Sequence, residues 1–152
     1  MAEWDRVMAI NVRGVIDVIR CAAPVLEDGS AITVIASLNS WKGDPRIAAY
    51  VASKHAVLGI VRSAALDLGP RGIRVNAVAP GPIATEALLS RMAARQGLTN
   101  LTVEQALATA AGDTALGRMA TTTDVANAIV FLTSDLAAGI TGHLLPVDSG
   151  VL

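Results

Sequence analysis

Three short apolar runs recur along this chain: AITVIAS (31–37), IRVNAVA (73–79) and HLLPVD (143–148). Long stretches with helical spacing fill the intervals. That alternation constrains the fold more than any other feature. The first two runs are rich in β-branched residues and read as buried strands, and the third follows a turn flanked by Gly139 and Gly142. Strands separated by helices imply parallel strands joined by right-handed crossovers, an open α/β sheet. In such sheets ligands sit outside the carboxyl ends of the strands. Ser37 and the Pro80-Gly81 pair fall at those ends.

The intervening segments read as helices. Residues 3–23 are apolar at 4, 7, 8, 10, 12, 15, 16, 18 and 19, a helix with a broad apolar face. Residues 48–68 form a long helical pattern closed by Gly69-Pro70. Residues 86–116 read as helix in broken pieces, one opened by a candidate capping box of Thr102 and Gln105. Residues 121–135 read as another helix, with threonines and Asp124 suited to its N-terminus. No repeat or linker divides the chain, so residues 1–152 are expected to form a single domain.

Composition narrows the function classes. The chain is 53% hydrophobic and 16% charged, with a formal net charge of −1, and its mean hydropathy is +0.52. That is greasy for a free-standing soluble monomer. No basic stripe appears, which argues against a nucleic-acid partner. The apolar runs are interrupted well short of the roughly 18 residues a membrane span needs. Glu3 and Asp5 make the first residues unlike a signal peptide. One cysteine, Cys21, excludes an internal disulfide and a cysteine-rich metal site, and it reads as a small buried apolar residue. His55 lacks partners for a metal site, and His143 is read as structural. A cytoplasmic protein without a metal is expected.

The stretch AAYVASKHAV (48–57) carries the chain's only tyrosine, Tyr50, and four residues later Lys54. At i and i+4 the two share a helix face. A phenol titrates near ~10 in water, and a cation held close favours its ionised form. Such a pair can serve as a general acid and base near neutral pH. Taken alone the spacing is a weak signal, since a surface tyrosine beside a solvated lysine gives the same pattern. Ser37 ends a strand 13 residues earlier, where it can present a hydroxyl across from the phenol. Asn11 lies in the preceding helix, where an amide could kink the helix or hold a water. Together these four describe a site that polarises a carbonyl oxygen and exchanges its proton. No G-x-S-x-G, Ser–His or Cys–His arrangement suggests an activated nucleophile.

Asn11, Ser37, YVASK (50–54), RVNAVAPGPIAT (74–85) and ITGHLLPVDSG (140–150), in this order, resemble the short-chain dehydrogenase/reductase family over essentially the whole chain. The resemblance implies an α/β fold: the C-terminal part of a doubly wound, Rossmann-like parallel sheet of about three strands with flanking helices. It implies an oxidoreductase that moves a hydride between NAD or NADP and a secondary alcohol or carbonyl substrate. It assigns Tyr50 as catalytic acid/base, Lys54 as the residue that tunes it and bonds the nicotinamide ribose, Ser37 as the group orienting the substrate oxygen, and Asn11 as the holder of a relay water. Pro80, Gly81, Ile83 and Thr85 are implied to meet the nicotinamide end of the cofactor. Residues 86–116 match the family's substrate lid, and Asn76 matches a structural position. Trp41, after Ser37, is placed with equal weight in a substrate pocket or over the core.

The family's pattern usually opens with a further hundred or so residues, including a T-G-x-x-x-G-x-G turn, and no such turn occurs here. A Gly-rich turn at a helix start supplies the N–H groups that hold a pyrophosphate. NAD and NADP are therefore not distinguished. Without a neighbouring strand, residues 31–37 would present an apolar edge. A truncation, a misassigned start or a fragment of a longer chain is expected, weak or inactive when alone. The alternative to an enzyme is a non-catalytic remnant that associates with full-length relatives. The two long helices, apolar around most of their circumference, suggest a homo-oligomer or association with a longer homologue.

Overall fold

The computed structural model describes residues 2–99 and 101–151. Residues 1, 100 and 152, which the single-domain and lid expectations include, lie outside the described residues. Helix α1 (Ala2–Met8) runs through a π turn (Ala9–Arg13) into α2 (Gly14–Ala22). Strand β1 (Ala31–Ile35) follows, then α3 (Ala48–Leu68) and β2 (Arg74–Pro80). Helices α4 (Glu86–Thr99), α5 (Val103–Gly112) and α6 (Thr122–Thr133) lead to β3 (Leu144–Val147).

The three strands form one parallel sheet in the order β1-β2-β3. Ile35 pairs with Val78 at one junction, and Pro80 with Val147 at the other. The central strand is buried almost throughout. Its period-two alternation divides two cores. Val75 and Ala77 pack with Val57, Val61, Ala64 and Ala65 of α3, while Val78 packs with Leu132 of α6 and Ala137. Val15 and Ile19 of α2 extend the first core. Helices thus cover both faces, as the α/β reading requires.

Polar clips fix the connections. Asn76, buried within β2, donates from Nδ2 to the Ile140 carbonyl (2.7 Å) and accepts from the His143 N–H (3.1 Å), so it sets the turn into β3. Its structural reading holds. Arg74 donates to the carbonyls of Leu132 and Ser134, closing the end of α6. Arg71 does the same for the carbonyls of Ala23 and Leu26 and also pairs with Asp28. These contacts occupy carbonyls that helix ends leave without partners. The expected capping box of Thr102 with Gln105 forms, and a second joins Thr121 with Asp124.

Three expectations are corrected. The helix over 3–23 is not uniform, because the π turn interrupts it around Asn11. The first strand ends at Ile35, two residues early, because Ser37 turns the chain into a short 3-10 turn at Leu38–Ser40. Cys21 is exposed, on the outer side of α2. Among the described residues, no helix is long and apolar enough to cross a membrane.

Candidate active site

The carboxyl ends of β1 and β2, the start of α3 and the start of α4 surround a cavity of about 770 Å³. Ser37, Tyr50 and Lys54 line it, as do Pro80, Gly81, Ile83 and Thr85. Of the residues singled out from sequence, seven of eight therefore open onto one space. The eighth, Asn11, reaches it through an intermediary.

Ser37 is buried at the turn out of β1. Its Oγ accepts a hydrogen bond from the Asn39 N–H at 3.1 Å, capping the 3-10 turn. A hydroxyl has one proton and two lone pairs. With a lone pair committed to the turn, the O–H proton remains available to a ligand oxygen.

Tyr50 and Lys54 stand one turn apart on α3, both half-buried. The Lys54 ammonium lies 5.8 Å from the centre of the Tyr50 ring, within reach of a cation–π attraction. It donates to the Ile35 carbonyl at 3.1 Å, which leaves two of its three protons for other acceptors. Burial pushes its pKa below the ordinary lysine value, because a low-dielectric setting disfavours the charged form.

Asn11 sits in the π turn and donates from Nδ2 to the Ser53 Oγ at 3.1 Å. Ser53 is fully buried and donates to the Tyr50 carbonyl at 2.7 Å. The two bonds tie the π turn to the turn of α3 that carries Tyr50. π turns inside α-helices are frequent at functional sites. Sequence reasoning passed over Ser53, although it lies inside the YVASK stretch.

The opposite wall is the loop over residues 80–85. A Cβ on Gly81 would meet the Asp148 Cβ at 2.7 Å, so only glycine lets this loop lie against the end of β3. The Gly81 N–H donates to the Val147 carbonyl at 3.1 Å. Thr85 starts α4: its carbonyl accepts from the Leu89 N–H at 2.9 Å. Leu38 and Ile47 also line the cavity, outside every motif singled out above, and Leu88, Arg91 and Met92 line it from within the 86–116 segment matched to the lid. Trp41 is not among the lining residues and is 43% exposed. His55 sits outside the cavity lining, its ring Nδ1 within 3.0 Å of the Val51 carbonyl.

A family model described as enoyl-(acyl carrier protein) reductase matches residues 1–152. The chain belongs to the short-chain dehydrogenase/reductase family. It is similar to the mitochondrial (−)-isopiperitenol/(−)-carveol dehydrogenase of Mentha piperita, with 41% identity covering 99% of this chain and 56% of that protein. The chain thus spans little more than half the length of such curated relatives. Among solved structures of the short-chain dehydrogenase fold, a family protein from Francisella tularensis superposes with a TM-score of 0.92 at 28% identity, over 98% of this chain and 62% of that one. The carveol dehydrogenase of Mycobacterium avium, solved in complex with NAD, gives 0.88 at 32% identity, over 97% and 56%. The Rossmann-like reading of the sheet is borne out by these structures.

Proposed function

We propose that this chain carries the catalytic centre of an NAD- or NADP-dependent oxidoreductase that interconverts a secondary alcohol and its carbonyl. The observation that carries this reading is the convergence of Ser37, Tyr50 and Lys54 on one cavity whose far wall is the 80–85 loop. The Mycobacterium avium neighbour's NAD complex supports the choice of cofactor class.

The residues present fit the nicotinamide end of such a cofactor. Main chain at residues 80–83 and the Thr85 hydroxyl offer polar partners for a carboxamide, on a wall held close by Gly81. The two uncommitted Lys54 protons suit ribose hydroxyls. When bound, the nicotinamide ring supplies the hydride in reduction and accepts it in oxidation.

The protein's own groups handle the oxygen and its proton. Ser37 donates its free O–H to the substrate oxygen and fixes its position. In reduction the Tyr50 phenol gives its proton to that oxygen as negative charge develops there; in oxidation the phenol oxygen takes the hydroxyl proton. The Lys54 cation stabilises negative charge on the phenol side of the exchange. Asn11 holds a water that passes the proton towards solvent, and through Ser53 its side chain steadies the turn that bears Tyr50. Ala87, Leu88, Arg91 and Met92 of α4, with Ala110 of α5, cover the substrate.

Exposed apolar residues support association with a second chain, either a copy or a longer relative. Ile10 and Val18 on the first helical stretch are 63% and 68% exposed, and Leu66 of α3 is exposed as well.

The test is turnover. The purified protein, supplied with saturating NAD or NADP and a panel of secondary alcohols, is expected to form reduced nicotinamide at the low rate expected of a chain that lacks the Gly-rich turn, and Tyr50→Phe is expected to abolish it. Absence of turnover across the panel, or turnover that survives Tyr50→Phe, overturns the proposal.

A further inference from the structure

The cavity lining also carries charged side chains beyond the Tyr50–Lys54 pair. Its lining includes Lys42, Lys54 and Arg91 against a single carboxylate, Asp44. The site therefore holds a formal surplus of two positive charges in a chain whose formal net charge is −1.

Arg91 is the informative member. It lies on α4 with Leu88 and Met92, three and one positions away, and all three line the same cavity. Most of the chain's other described arginines are engaged: Arg13 and Arg20 with Asp17, Arg71 with Asp28, Arg74 with main-chain carbonyls, and Arg118 with Asp124. Arg91 makes no hydrogen bond or ion pair with any other described residue. Around it the wall is apolar, formed by Ile83, Ala87, Leu88 and Met92. Arg91 is solvent-exposed at the rim of the cavity, and its guanidinium there gives a planar, two-pronged donor for a carboxylate or phosphate.

We propose that Arg91 is an anion-binding residue of this cavity, taking a carboxylate or phosphate group of the molecule that occupies it. This rests on the reading of the cavity as a substrate and cofactor site, and it adds a substrate class: an alcohol or carbonyl compound that also bears an acidic group. The pyrophosphate of the dinucleotide is the other source of the same chemistry. An internal latch, with Arg91 closing onto Asp44, is the competing account.

Amide shifts of the labelled protein titrated with levulinate, its uncharged methyl ester, inorganic pyrophosphate and NAD distinguish these sources. Arg91→Gln keeps a good helix former on α4 and removes only the charge. For a substrate acid, Arg91→Gln weakens levulinate binding about tenfold and leaves the ester unchanged. Asp44→Asn then tightens levulinate, because a repelling carboxylate is gone. For cofactor phosphate, Arg91→Gln weakens pyrophosphate and NAD by a similar factor and spares levulinate. Arg62→Gln, on α3 outside the cavity lining, changes nothing. Unchanged affinity for all anions in Arg91→Gln, or no anion binding by the wild type, overturns the proposal. So does levulinate binding that depends on Arg91 only after Asp44→Asn has freed it, which is what the latch predicts. If NAD fails to bind or turn over while levulinate still depends on Arg91, the redox reading falls and the anion site stands.

Discussion

Replacing Ser53 by alanine isolates the link between the π turn and the helix that bears Tyr50. Ser53 is fully buried, accepts from Asn11 Nδ2 at 3.1 Å and donates to the Tyr50 carbonyl at 2.7 Å. The Tyr50 carbonyl lies in the interior of α3 and keeps its helical partner, so little is lost there. The Asn11 amide, half-buried in the π turn, loses its partner. An unsatisfied buried donor costs about 1–3 kcal/mol, and partial access to water places Asn11 at the low end, ~1 kcal/mol. For a chain of this size, that lowers the melting temperature by about 2–4 °C. Urea unfolding of Ser53→Ala, Asn11→Ala and the double variant forms a thermodynamic cycle. The geometry predicts a coupling of about 1 kcal/mol, with the double variant little worse than either single one. Single effects that simply add, to within about 0.3 kcal/mol, would refute the link between the π turn and Tyr50.

Other substitutions probe the remaining walls. Gly81→Ala drives a methyl group into the Asp148 Cβ at 2.7 Å and is expected to cost about 1–3 kcal/mol, read as a lower urea midpoint. Lys54 is held below its ordinary pKa by burial, so the unfolded chain binds its proton more tightly than the folded one. Stability therefore rises with pH as the folded Lys54 sheds its proton, up to the free-lysine value near ~10.4. Lys54→Met should lack this rise, and a wild-type profile parallel to the variant's over that range would contradict it. Asp124 is lowered to about 2, first by the Thr121 backbone hydrogen bond, then by the Thr121 hydroxyl and Arg118. Its contribution to the start of α6 is present above the ordinary carboxylate range and is lost as pH falls through about 2. Asp124→Asn should remove that acid dependence from melting curves, and persistence of the full wild-type dependence would count against it.

The strands and α3 were legible because apolar runs and Gly69-Pro70 mark them locally, and α3 was placed at 48–68 as observed. The Thr102–Gln105 capping box was legible for the same reason, lying within four consecutive residues, while at the start of α6 the threonines and Asp124 marked a helix start and the Thr121–Asp124 box itself came from the structure. The convergence of Ser37 with Tyr50 followed from strand-end topology. What escaped depends on distant contacts. The π turn around Asn11 coincides with a partner 42 residues away. Cys21 was assigned to the interior from residue type, yet α2 turns it outward. Arg91 fell within the 86–116 segment matched to the lid, but no local pattern singles it out as a lining residue, because that depends on how α4 packs.

The central claim is that Ser37, Tyr50, Lys54 and the 80–85 loop together receive the nicotinamide end of a cofactor. Nicotinamide mononucleotide, which lacks the adenylate half, tests this most directly when titrated into the labelled protein. Saturable shift changes are expected, confined to Ser37, Tyr50, Lys54, Gly81, Ile83, Thr85 and their neighbours, and reduced by Lys54→Met. Changes centred instead on the surface pocket around Leu116, Asp148 and Gly150, or no saturable change at all, would contradict it.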